Sequence, residues 1–482
     1  MREKARIARI AGLIIALLGT VSGEAMRLRG EEESRRSNDA LRVSSPVSVH
    51  ADEIEYRIVG DEAKACRYTG GKRNVSVSSC VFVPVYGRCC PVTGVAENCF
   101  RNTPVGGIVI PRTVQILGLN CFGGCWLLEN ISFEVDSQLK RIESRAFWET
   151  FLKSVTIPRD VEILGSSCFS VCGSLESVSF ETDSRLKRIE SRAFYRSSLE
   201  SITIPRNVEA LGSECFGECR FLRSISFEPD SQLRRIESKA FYFIRLDSIT
   251  IPRNVEILGS RCFSMCCSLK SVSFETDSQL VCIKSRAFER TRLGKIVLPK
   301  SVKILGTGCF CGSGCKGRCV MIRFEKGSQL KSVGNGVFAL SQRWESREGL
   351  AFYRWNDQPR KYILPGGVEE IGLFPGCKDI IFKRNSENLK TLIVGCHFKD
   401  EFLRNHQPYS FSAPAWQFDS FWEEIKRAAP TTHINGIPIL DCFKNKRDSL
   451  ITIRLEEDRG SLSGEDWLQK LNNTLLAFPV DA

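Results

Sequence analysis

Short stretches of strict apolar–polar alternation recur along the middle of the chain. They include Ile131 and Phe133, Val155 and Ile157, Val178 and Phe180, Ile202 and Ile204, Ile225 and Phe227, and Ile249 and Ile251. Alternation of this length predicts a half-buried strand. A phenylalanine series accompanies the strands, from Phe100 through Phe122, Phe147, Phe169, Phe194, Phe216, Phe241, Phe263 and Phe288 to Phe310, in steps that alternate between 22 and 25. Pro111, Pro158, Pro205, Pro252 and Pro299 are spaced by 47. The unit is therefore a coil of about 23 residues, and two coils make one cycle.

A coil with a single short strand cannot bury its own apolar face, but stacked coils can. The pattern therefore predicts a solenoid with a parallel sheet along one side. Each Cys-Phe or Ala-Phe pair follows an apolar residue, as Ile142 precedes Phe147 and Ile163 precedes Phe169. This predicts a short turn or helix that drops its ring into a shared core. Burying one such ring contributes roughly 1.5–3 kcal/mol, so a stack of about eleven aromatics would be a large part of the driving force.

The segment Ile204-Pro205, Val208, Leu211-Gly212, Cys215-Phe216, Cys219, Leu222, Ile225 carries a motif that resembles the BspA-like leucine-rich repeats. The resemblance covers roughly residues 53–380. Upstream, Ile54 to Gly71 and Val92 to Phe100 are similar to that family's opening hairpin and first repeat. It implies a leucine-rich repeat solenoid of the α/β class, with about eleven to twelve stacked coils.

Around the array the chain divides by composition. Residues 1–23 read as a signal peptide: Arg2, Lys4, Arg6 and Arg9 precede the apolar run Ile10 to Val21, which is short for a bilayer span. An amphipathic helix of a cytosolic protein is the other reading. Residues 24–52 are polar and serine-rich, as in a disordered linker. Residues 53–98 form an N-terminal cap with the first repeat, and 99–340 the array. Residues 341–362 are an insertion, and 363–384 one degenerate repeat. Residues 385–482 lack the repeat. There Leu389–Val394, Ile437–Phe443 and Leu450–Leu455 predict strands, and Gln417–Ala428 and Ser463–Ala477 predict helices. This tail reads as a cap or a small α/β domain.

Composition adds one question about cysteine and one about charge. There are 22 cysteines, and eight form a ladder: Cys121 and Cys125, Cys168 and Cys172, Cys215 and Cys219, Cys262 and Cys266. The first column alternates with Ala146, Ala193, Ala240 and Ala287. The position therefore asks for a small apolar group, which free Cys supplies. Coils about 4.8 Å apart would place ladder cysteines two coils apart at roughly 10 Å, beyond the reach of a disulfide. Cys309, Cys311, Cys315 and Cys319 break the ladder. Disulfides, free thiols or a zinc site without histidine remain open for them.

The net charge is +12, which raises an anionic partner as a possibility. The basic row Arg112, Arg159, Arg206, Arg253 and Lys300 runs beside an acidic row that includes Glu181, Asp183, Glu228 and Asp230. Alternating stripes favour a solvated surface, with no nucleic-acid partner expected.

The outward strand positions are Ser132, Thr156, Ser179, Thr203, Ser226, Thr250 and Ser273. A second row holds Ser154, Ser177, Ser201, Ser224 and Ser248. Such a face either binds a partner or forms cross-strand hydroxyl pairs. The chain holds none of the motifs GxxxxGK[ST], HExxH, GxSxG or CxxC, and it has four histidines. No catalysis, cofactor or metal is expected. The resemblance implies a secreted or cell-surface adhesin that binds host-surface or matrix proteins, with no membrane span beyond the N-terminal segment. The alternative is a cytoplasmic scaffold on the same solenoid. A tail carrying its own chemistry around His397, His406 or Asp441 is a third.

Overall fold

The computed structural model describes residues 47–315, 318–334 and 337, and further on the backbone of eight strands between Lys361 and Glu456. The expected helices at Gln417–Ala428 and Ser463–Ala477, the signal segment, residues 24–46 and residues 341–360 lie outside the described residues.

Between Gly107 and Val333 the chain makes ten coils, each with a four-residue strand and a two-residue strand. The four-residue strands run from Gly107–Ile110 to Met321–Phe324. In Ser154–Ile157 the burial pattern is exposed, buried, exposed, buried, so Val155 and Ile157 face the core. The two-residue strands, such as Ile163–Leu164 and Arg188–Ile189, pair from coil to coil and build a second, inner parallel ladder. The sequence showed their apolar residues without showing that they pair.

The core is an aromatic column. Tyr68 starts it, with its ring 5.3 Å from that of Phe100. Nine further phenylalanines follow to Phe310. Neighbours such as Phe169 and Phe194 stack at 5.4 Å with planes 2° apart. The predicted stack of about eleven aromatics is present.

No helix occurs among the described residues, so the helical part of the α/β expectation does not hold there. Ten coils lie between Gly107 and Val333, and parallel pairing continues at both ends, to Asn74–Ser76 and to Asp379–Phe382. Each Phe sits in a run of turns flanked by left-handed residues: Ser167 and Val171 around Phe169, Lys239 and Phe243 around Phe241. A left-handed residue every four positions cannot continue an α-helix.

The glycine before each turn has a different task. A Cβ on Gly212 would lie 2.5 Å from the Glu190 carbonyl carbon, so this bend admits no side chain.

The two ladders differ in continuity. The two-residue ladder passes without a break from Gly94–Val95 through Ile304–Leu305 to Ser332–Val333. The four-residue strands instead associate in twos. Ser154–Ile157 pairs along its full length with Ser177–Phe180, and Ser201–Ile204 likewise with Ser224–Phe227. Between these twos, only Ser177 and Ser201 are in register. The proline ladder accounts for this. Within a pair the amide of Glu181 donates to the Ile157 carbonyl, and that of Glu228 to Ile204. At the next interface the residue in that place is Pro205, which has no N–H to give.

At the N-terminal end, strands Ile54–Val59 and Glu62–Tyr68 form an antiparallel hairpin. A second hairpin pairs Cys80–Val83 with Arg88–Val95. Past the array, Lys361–Leu364 pairs in parallel with Asp379–Phe382, as one further coil would. The inner ladder goes on through Glu370–Gly372 to Thr391–Gly395 and Leu450–Glu456. Parallel pairing thus extends beyond residue 385, where the sequence repeat ends.

Candidate binding surface

The predicted hydroxyl rows lie on the outer face of the four-residue strands. Ser132, Thr156, Ser179, Thr203, Ser226, Thr250 and Ser273 are all exposed, as are Ser154, Ser177, Ser201, Ser224 and Ser248. The intervening Val155, Ile202 and Ile249 are buried beneath them. Small outward side chains over a rigid apolar layer leave a surface without ridges.

Six of the seven outer-row hydroxyls are paired. Thr156 and Ser179 share a hydrogen bond of 2.9 Å. Thr203 with Ser226 and Thr250 with Ser273 do the same at 2.8 Å. Each pair falls inside a fully registered strand pair, where the Cα partners are Thr156 and Ser179 or Thr203 and Ser226. The two sequence readings of this face are therefore compatible. A hydroxyl pair uses one proton and one lone pair, and the second proton with the remaining lone pairs faces outward.

The hydroxyl face ends at apolar residues on both sides. On one side Val109 is exposed at the equivalent position. On the other, Lys295 and Val297 replace the hydroxyls, and in the next strand Met321 and Arg323 lie beside them in register. Val297 is 40% exposed and Met321 is 53% exposed. Their signal in the sequence was plain: apolar residues where the six coils from Ser154 to Ser273 have Ser or Thr.

The charged rows are occupied with one another. The backbone amide of Arg206 donates to the Glu228 carboxylate at 2.9 Å, and its guanidinium donates to Asp183 at 2.8 Å. Arg112, Arg159, Arg253 and Lys300 repeat the amide contact with Glu134, Glu181, Glu275 and Glu325. Arg253 pairs with Asp230, and Lys300 with Asp277 at 3.7 Å. Arg159 lies 3.8 Å from Asp160. On the inner ladder's outer side, Arg141, Arg188 and Arg235 each pair with the glutamate two residues on. The side chains of Arg159, Arg206, Arg253 and Lys300 thus each have a carboxylate within 4 Å.

A separate cluster spans three turns on Arg192–Arg196, Glu214–Arg220 and Lys239–Phe243. Glu214 accepts from Arg192 at 2.6 Å and from Lys239 at 2.8 Å. Glu218 accepts from the Tyr195 hydroxyl at 2.5 Å and from Arg196 at 2.9 Å. The Arg220 guanidinium lies over the Phe243 ring, 5.1 Å from its centroid.

The cysteine ladder splits into two columns. Cys121, Cys168, Cys215 and Cys262 are fully buried with only distant carbonyl neighbours, as packing requires. Cys125, Cys172, Cys219 and Cys266 do more. Each thiol donates to the carbonyl of the Phe one coil earlier, at 2.8 Å for Cys125 and 3.0 Å for the others. Ser313 takes the same role toward Phe288. Burial pushes Cys172 and Cys219 up to about 11 and Cys266 up to about 12, so these thiols stay protonated at neutral pH. Cys309 is a buried thiol. The side chains of Cys315 and Cys319 lie outside the described residues, although their backbones form a small antiparallel turn.

This geometry now meets the comparison with known proteins. The family described as "BspA type Leucine rich repeat region" matches residues 93–220 and 187–316, in six copies. Residues 93–316 carry a BspA-type leucine-rich repeat array. No curated protein sequence matches it. Among solved structures, a leucine rich cell surface protein from Faecalibacterium prausnitzii A2-165 is 20% identical with a TM-score of 0.41, covering 73% of this chain and 90% of that one. The pneumococcal vaccine antigen PcpA is 19% identical with a TM-score of 0.41, covering 73% and 94%. A leucine-rich repeat protein from Bacteroides capillosus ATCC 29799 is 26% identical with a TM-score of 0.26, covering 28% and 98%. No helix among the described residues is long and apolar enough to cross a membrane.

Proposed function

We propose that this protein is a non-enzymatic binding protein, displayed at a cell surface or secreted, whose array docks a host-surface or matrix protein on its sheet face. The observation that carries the reading is the exposed Ser and Thr lattice from Ser132 to Ser273, ending in the apolar pair Val297 and Met321. A rigid hydroxyl surface can hydrogen-bond a partner's polar groups at little entropic cost, and an adjoining apolar spot can supply the desolvated centre of contact. The basic-then-apolar segment Arg2 to Val21 supports export.

The test is binding of the purified chain to a panel of purified matrix proteins and to intact cells. Thr203→Arg and Met321→Asp place bulk or charge on the face, and Lys187→Ala on the inner ladder's outer side serves as control. The expected result is binding that both face variants weaken at least tenfold and the control leaves alone. Binding that ignores both face variants sinks the assignment of the face.

A cytoplasmic scaffold is the second reading. It is favoured by the ladder thiols, which are free and buried and need no oxidation. Mass spectrometry of the natural protein separates the two readings. A mature N-terminus near Glu24 supports export, and an intact Met1 supports the scaffold.

A further inference from the structure

The ladder thiols are shut in the core, but one pair of cysteines is not. Cys80 and Cys89 are exposed on the second N-terminal hairpin. In its register Cys80 stands opposite Pro91, and Phe82 opposite Cys89. Cys80, Phe82, Cys89 and Pro91 all point outward, whereas Val81, Val83, Cys90 and Val92 point into the core. Cys80 and Cys89 are therefore diagonal neighbours on one face. The right-handed twist of a two-stranded ribbon draws one of its two diagonals together. Here the closed diagonal is the cysteine one: the Cys89 thiol titrates above its ordinary value through desolvation and then a hydrogen bond with the Cys80 thiol.

We infer that Cys80 and Cys89 form a dithiol that closes to a disulfide by exchange with a low-molecular-weight disulfide, stapling this hairpin. One thiolate attacks the small disulfide, giving a mixed disulfide and releasing one small thiol. The second protein thiolate then displaces the other small thiol. The two cysteines lose two protons and two electrons in total, and the small disulfide is reduced to two thiols. The staple spans the loop Pro84–Gly87 and fixes the hairpin whose inner residues close the first coil. Thr113 ties the same hairpin to the array by donating its hydroxyl to the Val92 carbonyl at 2.8 Å. This inference rests on the hairpin alone and stands whether or not the protein is exported.

The experiment equilibrates the purified full-length chain in mixtures of reduced and oxidised glutathione. Free thiols are then blocked, and the chain is cut briefly with chymotrypsin at the exposed Tyr86. The expected result is an oxidised chain whose two pieces stay joined in denaturing gels until a reductant is added, with peptide mapping that reports the Cys80–Cys89 link. Cys80→Ser should leave Cys89 as a glutathione mixed disulfide and let the pieces separate. Pieces of the oxidised wild-type chain that separate without reductant overturn the inference. So does a link from either cysteine to any third one, or mixed disulfides on both in the wild-type chain.

Discussion

The thiol of Cys266 donates to the carbonyl of Phe241 at 3.0 Å, and no hydroxyl from the neighbouring coil shares that acceptor, because Ile244 stands where Thr150 does two cycles earlier. At Phe147 the same carbonyl takes both the Cys172 thiol and the Thr150 hydroxyl, each at 3.0 Å. A buried carbonyl left without a partner costs about 1–3 kcal/mol. Cys266→Ala should therefore cost about that much, and Cys172→Ala about 1 kcal/mol, since Thr150 remains. Cys266→Ser should retain most of the stability. Urea denaturation of the three variants checks the order, and equal losses at both alanine sites would show that the thiols only fill space.

Phe216 lies in the middle of the aromatic column, 5.3 Å from Phe194 and 5.6 Å from Phe241. Phe216→Ala should cost about 3–5 kcal/mol. Because each coil touches only its neighbours, hydrogen exchange should accelerate near coil 201–227 first and leave the N-terminal hairpins protected. Uniform acceleration along the whole array would contradict a quasi-linear stack.

Gly212→Ala should lose stability for a reason unrelated to conformational freedom. The added methyl would meet the backbone of the preceding coil at Glu190 and Ser191, 2.5 and 2.6 Å away. Backbone cannot step aside as a side-chain tip can, so a loss of about 1–3 kcal/mol is expected in thermal or urea melts. The control is Gly173→Ala, where a methyl meets nothing within 4 Å.

Glu214 sets an acid limit on the middle coils. Burial alone would raise its carboxyl, but hydrogen bonds from Lys239 and Arg192 and their charges outweigh that and hold it below the ordinary 4.5. A carboxyl depressed in the folded state lends stability above its unfolded value, and this is lost as pH falls through the folded value. Wild-type stability should thus decline below about pH 4.5. Glu214→Gln should be less stable at neutral pH and show a shallower acid decline. Parallel acid curves for the two proteins would remove Glu214 from this role.

Val171 is a β-branched residue with φ of 62°. The equivalent place one cycle earlier is Gly124, and in the first coil Asn102. Val171→Asn should gain about 1 kcal/mol by relieving the left-handed strain while keeping the amide bond to the Tyr195 carbonyl. A melting temperature unchanged or lowered would show that local packing has absorbed the strain.

These cases also mark what the sequence could and could not reveal. The strands were legible because alternation such as Val155 and Ile157 is a direct image of burial. The aromatic column was legible because one Phe per coil admits no other use. The turns were harder to read. Their left-handed positions hold Arg145, Lys239, Phe243 and Val171, residue types that do not announce that conformation. The thiol donors were half visible: Thr103, Thr150, Ser197 and Thr291 fill their positions in alternate coils, and only a hydroxyl–thiol comparison reveals a shared proton donor. The exposure of the outer rows was legible from alternation, whereas Val297 and Met321 were not, because they depart from the Ser and Thr pattern of the coils before them.

The proline that breaks every second interface of the outer sheet also fixes how such an array can change length. A gene that gains or loses 47 residues inside the repeat brings an unpaired edge against an unpaired edge, and every hydroxyl pair and thiol donor meets its usual neighbour. Insertion of one coil alone would set two coils of one kind side by side, either two proline-terminated strands with two thiol-bearing turns in contact, or two strands and turns that lack both. Duplication in this molecule is thus constrained to an even count of coils, and lineages descended from it should differ in array length by whole cycles.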